Sequence, residues 1–179
     1  SVVIKRIKEN DPGRDGYTFT LNDLTKDWIT KTLTAVYRKE SLHGIDFSVY
    51  RYTRDIHYFY HMVKDSQGFY FTQDFGIYRI HEGGVNSMKQ GKVNSNTAFN
   101  CYKELHEFNR DDFTRTMCHR HTLALLNYNL FNRESGSKFF RNLGLYFEAV
   151  KLSRRADDFK FLLTVFLSPR FKGRFKKAR

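Results

Sequence analysis

The sequence is poor in cysteine and proline and has no long apolar run. It holds only two cysteines and two prolines in 179 residues. Two cysteines are too few for a disulfide framework, and the spacing of Cys101 and Cys118 matches no compact zinc motif, so we expect buried thiols in a reducing compartment. No apolar run approaches the ~20 residues that span a bilayer, and the first residues lack the apolar core of a signal peptide. The pattern predicts a soluble or peripheral protein.

Acidic residues are also in deficit. The chain has 19 Asp and Glu against 31 Lys and Arg, which gives a formal net charge of +12. Such an excess favours an anionic partner: nucleic acid, an anionic membrane surface or a phosphorylated ligand. The last ten residues, RFKGRFKKAR, hold six cations and no acid. Hydrophobic residues make up 40% of the chain and aromatic residues 17%, so the chain can bury the core of one domain.

Residues 1 to about 90 have mixed α/β periodicity. Apolar side chains recur at helical spacing over residues 55–64, which predicts a helix with one buried stripe. This stripe consists of Ile56, Phe59, Tyr60 and Val63. Enrichment in β-branched and aromatic residues predicts strands over 1–7, 30–38 and 69–80, the last broken near Gln73 and Asp74. We expect an α/β lobe over residues 1–90.

Helical signals take over from about Asn94. The pattern predicts a first helix with its N-cap at Asn94 or Ser95, and a second that begins at Asp111 or Asp112 and runs to about Phe131. The apolar face of the first comprises Ala98, Cys101, Tyr102, Leu105 and Phe108. A third helix, capped by Ser137, contains Phe139, Phe140, Leu143, Phe147 and Val150. A fourth covers residues 159–167 and ends before Pro169, so we expect a helical region with a basic tail over residues 91–179.

The heptapeptide YRIHEGG, residues 78–84, follows a predicted strand. Ligands of open α/β sheets bind at the ends of strands, where His81 is expected. Gly83 and Gly84 would let the backbone turn sharply and approach a ligand closely.

A family resemblance adds to this pattern. The segment DWITKTLTAVYRKESL at 27–42, the Asp that opens a helix at 55, and YRIHEGG at 78–84 resemble the second half of the catalytic domain of bacterial family 2 glycosyltransferases. The resemblance covers roughly residues 20–90. It implies a GT-A fold: the second half of a mixed sheet with flanking helices, here followed by an all-helical tail. It also implies inverting transfer of a sugar from a nucleotide diphosphate sugar to a glycan or lipid-linked acceptor, in bacterial surface glycan synthesis.

The same resemblance assigns site residues. His81 matches the histidine that helps to bind a divalent cation, Mg²⁺ or Mn²⁺, on the diphosphate of the donor, and a neutral imidazole suits that role. Arg79, Gly83 and Gly84 are expected beside the donor. Asp55 matches the base that takes the proton of the acceptor hydroxyl. An alternative role for Asp55 is to cap its helix.

The chain departs from the family in two respects. Arg54 stands where many relatives have an acidic residue, and no Asp-x-Asp metal-binding motif occurs anywhere in the sequence. We therefore expect the chain to be the acceptor-side half and helical tail of a longer enzyme, with the nucleotide-binding half upstream. By itself it should be inactive.

Other histidines and cysteines give weaker signals. His57 and His61 share a helix face at metal-pair spacing, but we interpret them as solvent-facing or as lying near the acceptor groove, because Tyr58 replaces the glutamate of a zinc protease. Cys118, His119 and His121 spread around a helix, which argues against a zinc site.

A different class of function is a basic helical module that binds nucleic acid or an anionic surface. It is suggested by the net charge of +12 and by Phe, Lys and Arg interleaved over residues 159–179. No RNA-binding aromatic motif or helix-turn-helix is present, so nucleic acid is the weaker candidate. We expect a cytoplasmic enzyme, held by this segment at the inner face of the cell membrane.

Overall fold

A computed structural model describes residues 16–26, 35–71, 91–131 and 139–153, together with Lys160, Leu163, Thr164 and Leu167. The chain divides into two compact units, residues 1–89 and 90–179. Helices and a small sheet coexist, so mixed α/β structure with additional helices is confirmed at that level. The roles predicted for residues 1–90 and 91–179 stay predictions.

The sheet of the first unit consists of two antiparallel strands within the described residues. Strand β1 (Gly16–Phe19) pairs with β2 (Gly68–Phe71), so that Tyr17 lies opposite Tyr70 and Phe19 opposite Gly68. The rings of Tyr17 and Tyr70 stack, with centroids 5.0 Å apart. A Cβ at position 68 would overlap the ring of Phe19, so a larger residue there requires that ring to shift. Strand β1 was not predicted, although its GYTF sequence follows a turn-prone stretch.

Helix α1 (Asp55–Val63) lies between the two strands in the chain and confirms the predicted helix. Its apolar stripe is buried as expected, which anchors the helix in the core of the first unit. The buried members of the stripe are Ile56, Phe59, Tyr60 and Val63.

The strand predicted over residues 30–38 is wrong in its described part, because residues 35–38 are irregular. Val36 is fully exposed and Tyr37 is 55% exposed. A β-branched or aromatic residue favours a strand only where a neighbouring strand and a buried face receive it. Residues 69–71 confirm the start of the strand predicted over 69–80, whereas residues 1–7, 30–34 and 72–80 lie outside the described part of the chain.

Three helices of the second unit pack together: α2 (Gly91–Asn109), α3 (Asp112–Phe131) and α4 (Phe139–Leu152). Its apolar core joins all three helices and consists of Phe99, Leu125, Leu126, Leu130, Leu145, Tyr146 and Ala149. Between α2 and α3 the chain turns at Arg110, whose φ is 55°. Asp111 then accepts a 2.7 Å hydrogen bond from the backbone N–H of Thr114, which confirms the predicted cap.

Two predictions about α2 are wrong. The helix begins at Gly91, so Asn94 and Ser95 lie inside it, because a capping preference is weak against an extended helix. Phe108, placed on the buried face, is 56% exposed, whereas Leu105 on the same face is fully buried. Phe113 in the first turn of α3 is the aromatic residue buried beside this turn.

Further predictions concern the thiols and the fourth helix. Cys101 and Cys118 are free and buried, as expected. Lys160, Leu163, Thr164 and Leu167 are helical, while the other residues of the predicted fourth helix lie outside the described positions. Ser137, the predicted cap of the third helix, also lies outside them. Among the helices described, none is both long and apolar enough to cross a bilayer.

Candidate functional site around helix α1

Asp55 is the first residue of helix α1, and its side chain is exposed. The N-cap position belongs to Arg54, whose extended backbone (φ −143°, ψ 174°) leads into the helix. Asp55 is thus not the N-cap. Its carboxylate lies in the first turn, near the positive end of the helix dipole. An exposed carboxylate can take a proton from a hydroxyl group that reaches it.

The buried side chain of His57 bonds the backbone at the start of helix α1. Its Nδ1 accepts a 3.0 Å hydrogen bond from the backbone N–H of Arg54, and the backbone N–H of His57 donates to the Arg54 carbonyl at 2.9 Å. The imidazole thus takes the place that Glu or Gln holds in a capping box. Nδ1 also lies 3.3 Å from the Arg54 carbonyl, while Nε2 is buried and has no partner within the described part of the chain. The predicted solvent-facing position of His57 is wrong, because its side chain is fully buried.

His61, one turn further on, is held by Tyr50. The Tyr50 hydroxyl lies 2.9 Å from Nε2 of His61, and the Tyr50 ring packs 4.4 Å from the ring of His57. Nδ1 of His57 and Nε2 of His61 therefore both have protein partners. No group of three His, Cys, Asp or Glu side chains within the described positions could hold a metal ion.

The segment 46–54, here called the 46–54 loop, packs on the same helix. Phe47 stacks on Tyr58 with centroids 4.5 Å apart and meets the edge of His61 at 5.6 Å. The Thr53 hydroxyl donates to the Tyr50 carbonyl at 3.0 Å. At the start of the loop, Asp46 accepts a 2.8 Å hydrogen bond from the Ser48 N–H. Hydrogen bonds from Ser48 keep the pKa of Asp46 below its ordinary value.

Burial governs the titration of both histidines. It lowers the pKa of His57 below its ordinary 6.5, and the positive charge of Arg54 acts in the same direction. Burial also lowers the pKa of His61, and the charges of Lys64 and His57 lower it further. The folded state therefore favours neutral rings.

Acidification should destabilise the first unit through His57. Its folded pKa lies below the unfolded value of 6.5. The neutral ring therefore contributes its full stability above that value, and the contribution is lost as the pH falls below it toward the folded pKa. His57→Gln keeps an acceptor for the Arg54 N–H but cannot titrate, so we expect a smaller loss of stability from about pH 7 to about pH 5.

The measurement is the urea midpoint of the full chain and of the His57→Gln variant at both pH values. His43→Gln is the control, because His43 is exposed on the same unit. Identical acid sensitivity in native chain and His57→Gln would show that His57 does not govern this response.

The structure describes one of the five predicted site residues. Asp55 is placed at the start of α1, whereas Arg79, His81, Gly83 and Gly84 lie outside the described residues. Their roles stay predictions. Sequence reasoning missed the packing of Phe47, Tyr50 and Tyr58 around the two histidines. The available signal was the density of aromatic residues between positions 47 and 60.

The cysteine and histidines of α3 have separate partners. Cys118 is buried, which raises the pKa of its thiol to about 11. His119 lies 3.2 Å from the Ser153 hydroxyl, while the ring of His121 stacks on Tyr102 at 4.4 Å. These contacts account for each side chain structurally.

No protein-family model, curated protein or solved structure matches the chain. The resemblance to family 2 glycosyltransferases therefore depends on the residues of this sequence alone.

Proposed function

We propose that this chain is part of an inverting glycosyltransferase of the GT-A type that uses a nucleotide diphosphate sugar. The acceptor is a glycan or a lipid-linked glycan, as in the synthesis of bacterial surface polysaccharides. The observation that carries the proposal is the exposed carboxylate of Asp55 at the first position of α1. The family order of segments on either side supports it.

In the proposed reaction, the carboxylate of Asp55 takes the proton of an acceptor hydroxyl as its oxygen attacks the anomeric carbon of the donor sugar. A new C–O bond forms on one face of that carbon. The bond to the nucleoside diphosphate breaks on the other face, and the diphosphate leaves with the electron pair. The configuration at the anomeric carbon is thereby inverted.

A divalent cation, Mg²⁺ or Mn²⁺, belongs to this proposal by family resemblance. Such an ion offsets the charge on a departing diphosphate. His81, the expected ligand, lies outside the described residues, and those described offer no cluster of three His, Cys, Asp or Glu side chains for a metal. The role of Asp55 as a base does not depend on the ion.

The direct test is a transferase assay on a longer protein that contains this chain and an upstream half with an Asp-x-Asp motif. We expect release of nucleoside diphosphate from one member of a nucleotide-sugar panel, with an inverted anomeric linkage by NMR. The isolated chain serves as the control and should be inactive. A retained configuration, or transfer by the isolated chain, would contradict the proposal.

We infer a second property, association of residues 159–179 with an anionic membrane surface at the cytoplasmic face. Leu163 and Leu167 lie one helical turn apart and are 45% and 50% exposed. The six cations of the last ten residues follow them. Exposed leucines beside cations suit the headgroup boundary, and each cation near such a surface contributes roughly 1 kcal/mol.

Liposome flotation tests this association. The full chain should float with vesicles that contain anionic lipid, and a version truncated after Pro169 should float much less. Neutral vesicles are the control, since the cations gain little there. Equal flotation by both versions, or flotation by neither, would rule out the anchor.

A further inference from the structure

Tyr58 presents an aromatic ring close to the proposed base. It lies three residues after Asp55 on α1, and side chains at that spacing lie next to each other on one helix face. Tyr58 is 38% exposed, although its neighbours in the chain, His57 and Phe59, are buried. The face of α1 that carries Asp55 therefore also carries an open aromatic ring.

The ring of Tyr58 is held in place from behind. Phe47 stacks against it, with centroids 4.5 Å apart and an interplanar angle of 25°. Phe47 is itself held by the edge of His61, which Tyr50 fixes through its hydroxyl. A ring supported in this way loses little freedom when a ligand stacks on its open side.

Two exposed aspartates lie close in the chain to the stacked pair. Asp46 directly precedes Phe47, and Asp55 lies one turn from Tyr58, and both side chains are exposed. Ionised carboxylates accept hydrogen bonds from hydroxyl groups and repel anions. A ligand that matches this surface has an apolar face for the ring and hydroxyl groups at its rim.

We propose that the open face of Tyr58 binds a pyranose ring of the acceptor and brings one of its hydroxyl groups to Asp55. The C–H groups of a pyranose form an apolar face with slightly positive hydrogens, which suits the negative face of an aromatic ring. The hydroxyl groups at its edge meet the two carboxylates. The assignment to the acceptor depends on the proposed function, whereas the sugar-binding surface does not.

Saturation-transfer NMR on the full chain tests the surface without any transfer reaction. The probes are the methyl pyranosides of glucose, galactose and mannose, with sorbitol as a polyol that has hydroxyl groups but no ring. We expect signals from the ring C–H protons of at least one pyranoside. Tyr58→Leu, which keeps an apolar side chain suited to a helix, should weaken them about fivefold.

Three further variants serve as controls. Tyr58→Phe keeps the ring and should retain the signals, as should Tyr37→Ala, which removes an exposed tyrosine elsewhere on the unit. Asp65→Asn, at an exposed aspartate just beyond α1, should also retain them. The inference is wrong if sorbitol gives signals as strong as those of the pyranosides. It is also wrong if Tyr58→Leu leaves the pyranoside signals unchanged, or if the native chain gives no signal.

The outcomes separate this inference from the proposed function. If pyranosides bind through Tyr58 but the longer protein has no transferase activity, the sugar-binding surface is supported. The proposed function is then wrong. If the longer enzyme transfers sugar and Tyr58→Leu changes neither turnover nor acceptor affinity, the proposed function stands. The assignment of Tyr58 to the acceptor site is then wrong.

Discussion

Replacing Asp55 by asparagine in the longer enzyme should lower turnover about a hundredfold or more, because the amide keeps the shape of the carboxylate but cannot take a proton. Donor binding should change little, since the proposed contact is with the acceptor hydroxyl. The effect is therefore expected in kcat and not in the donor KM. Initial rates of nucleoside diphosphate release, over a range of donor and acceptor concentrations, provide the measurement.

Two further variants test whether the loss of turnover is specific to Asp55. Asp65→Asn makes the same chemical change at an exposed aspartate just beyond α1 and should retain native turnover. His81→Ala should instead weaken donor affinity and metal dependence together, in keeping with its proposed role at the diphosphate. Native turnover in Asp55→Asn would remove the base assignment and leave Asp55 a role in the first turn of its helix.

Leu105→Ala should destabilise the chain by about 2–5 kcal/mol, because Leu105 is fully buried and its loss leaves a cavity in the second unit. Phe108→Ala, on the same predicted face of α2, should cost about 0.5 kcal/mol or less, since this side chain is 56% exposed. The free energy of unfolding in urea distinguishes the two. Comparable losses from both variants would show that the end of α2 is packed in solution.

Local patterns were sufficient for helix α1 and for the start of α3. The stripe of α1 predicted both its bounds and its buried residues, because one helical period places its side chains on a single face. Asp111 and Asp112 were the two predicted caps, and the structure shows that Asp111 bonds a backbone N–H only three residues away. Interactions of this short range involve only a few consecutive residues, so a local sequence pattern can predict them.

The site was predicted less completely. Asp55 was predicted because it opens a helix and resembles a family position, and its role stays a prediction, whereas the burial of His57 was missed. Spacing alone places His57 and His61 on one face but does not say what covers that face. Tyr50 covers it, and its position depends on how the 46–54 loop folds back onto α1.

The sequence by itself determined the helical second unit, the span of α1 and the position of Asp55 at its start. Only the tertiary structure decided that β1 pairs with β2 across the first unit, that Phe108 is exposed and that Phe47 supports Tyr58. The physical reason is the range of the interactions. Periodicity and caps act between residues a few positions apart, whereas strand pairing, burial and ring stacking require a partner that the folded chain brings from elsewhere.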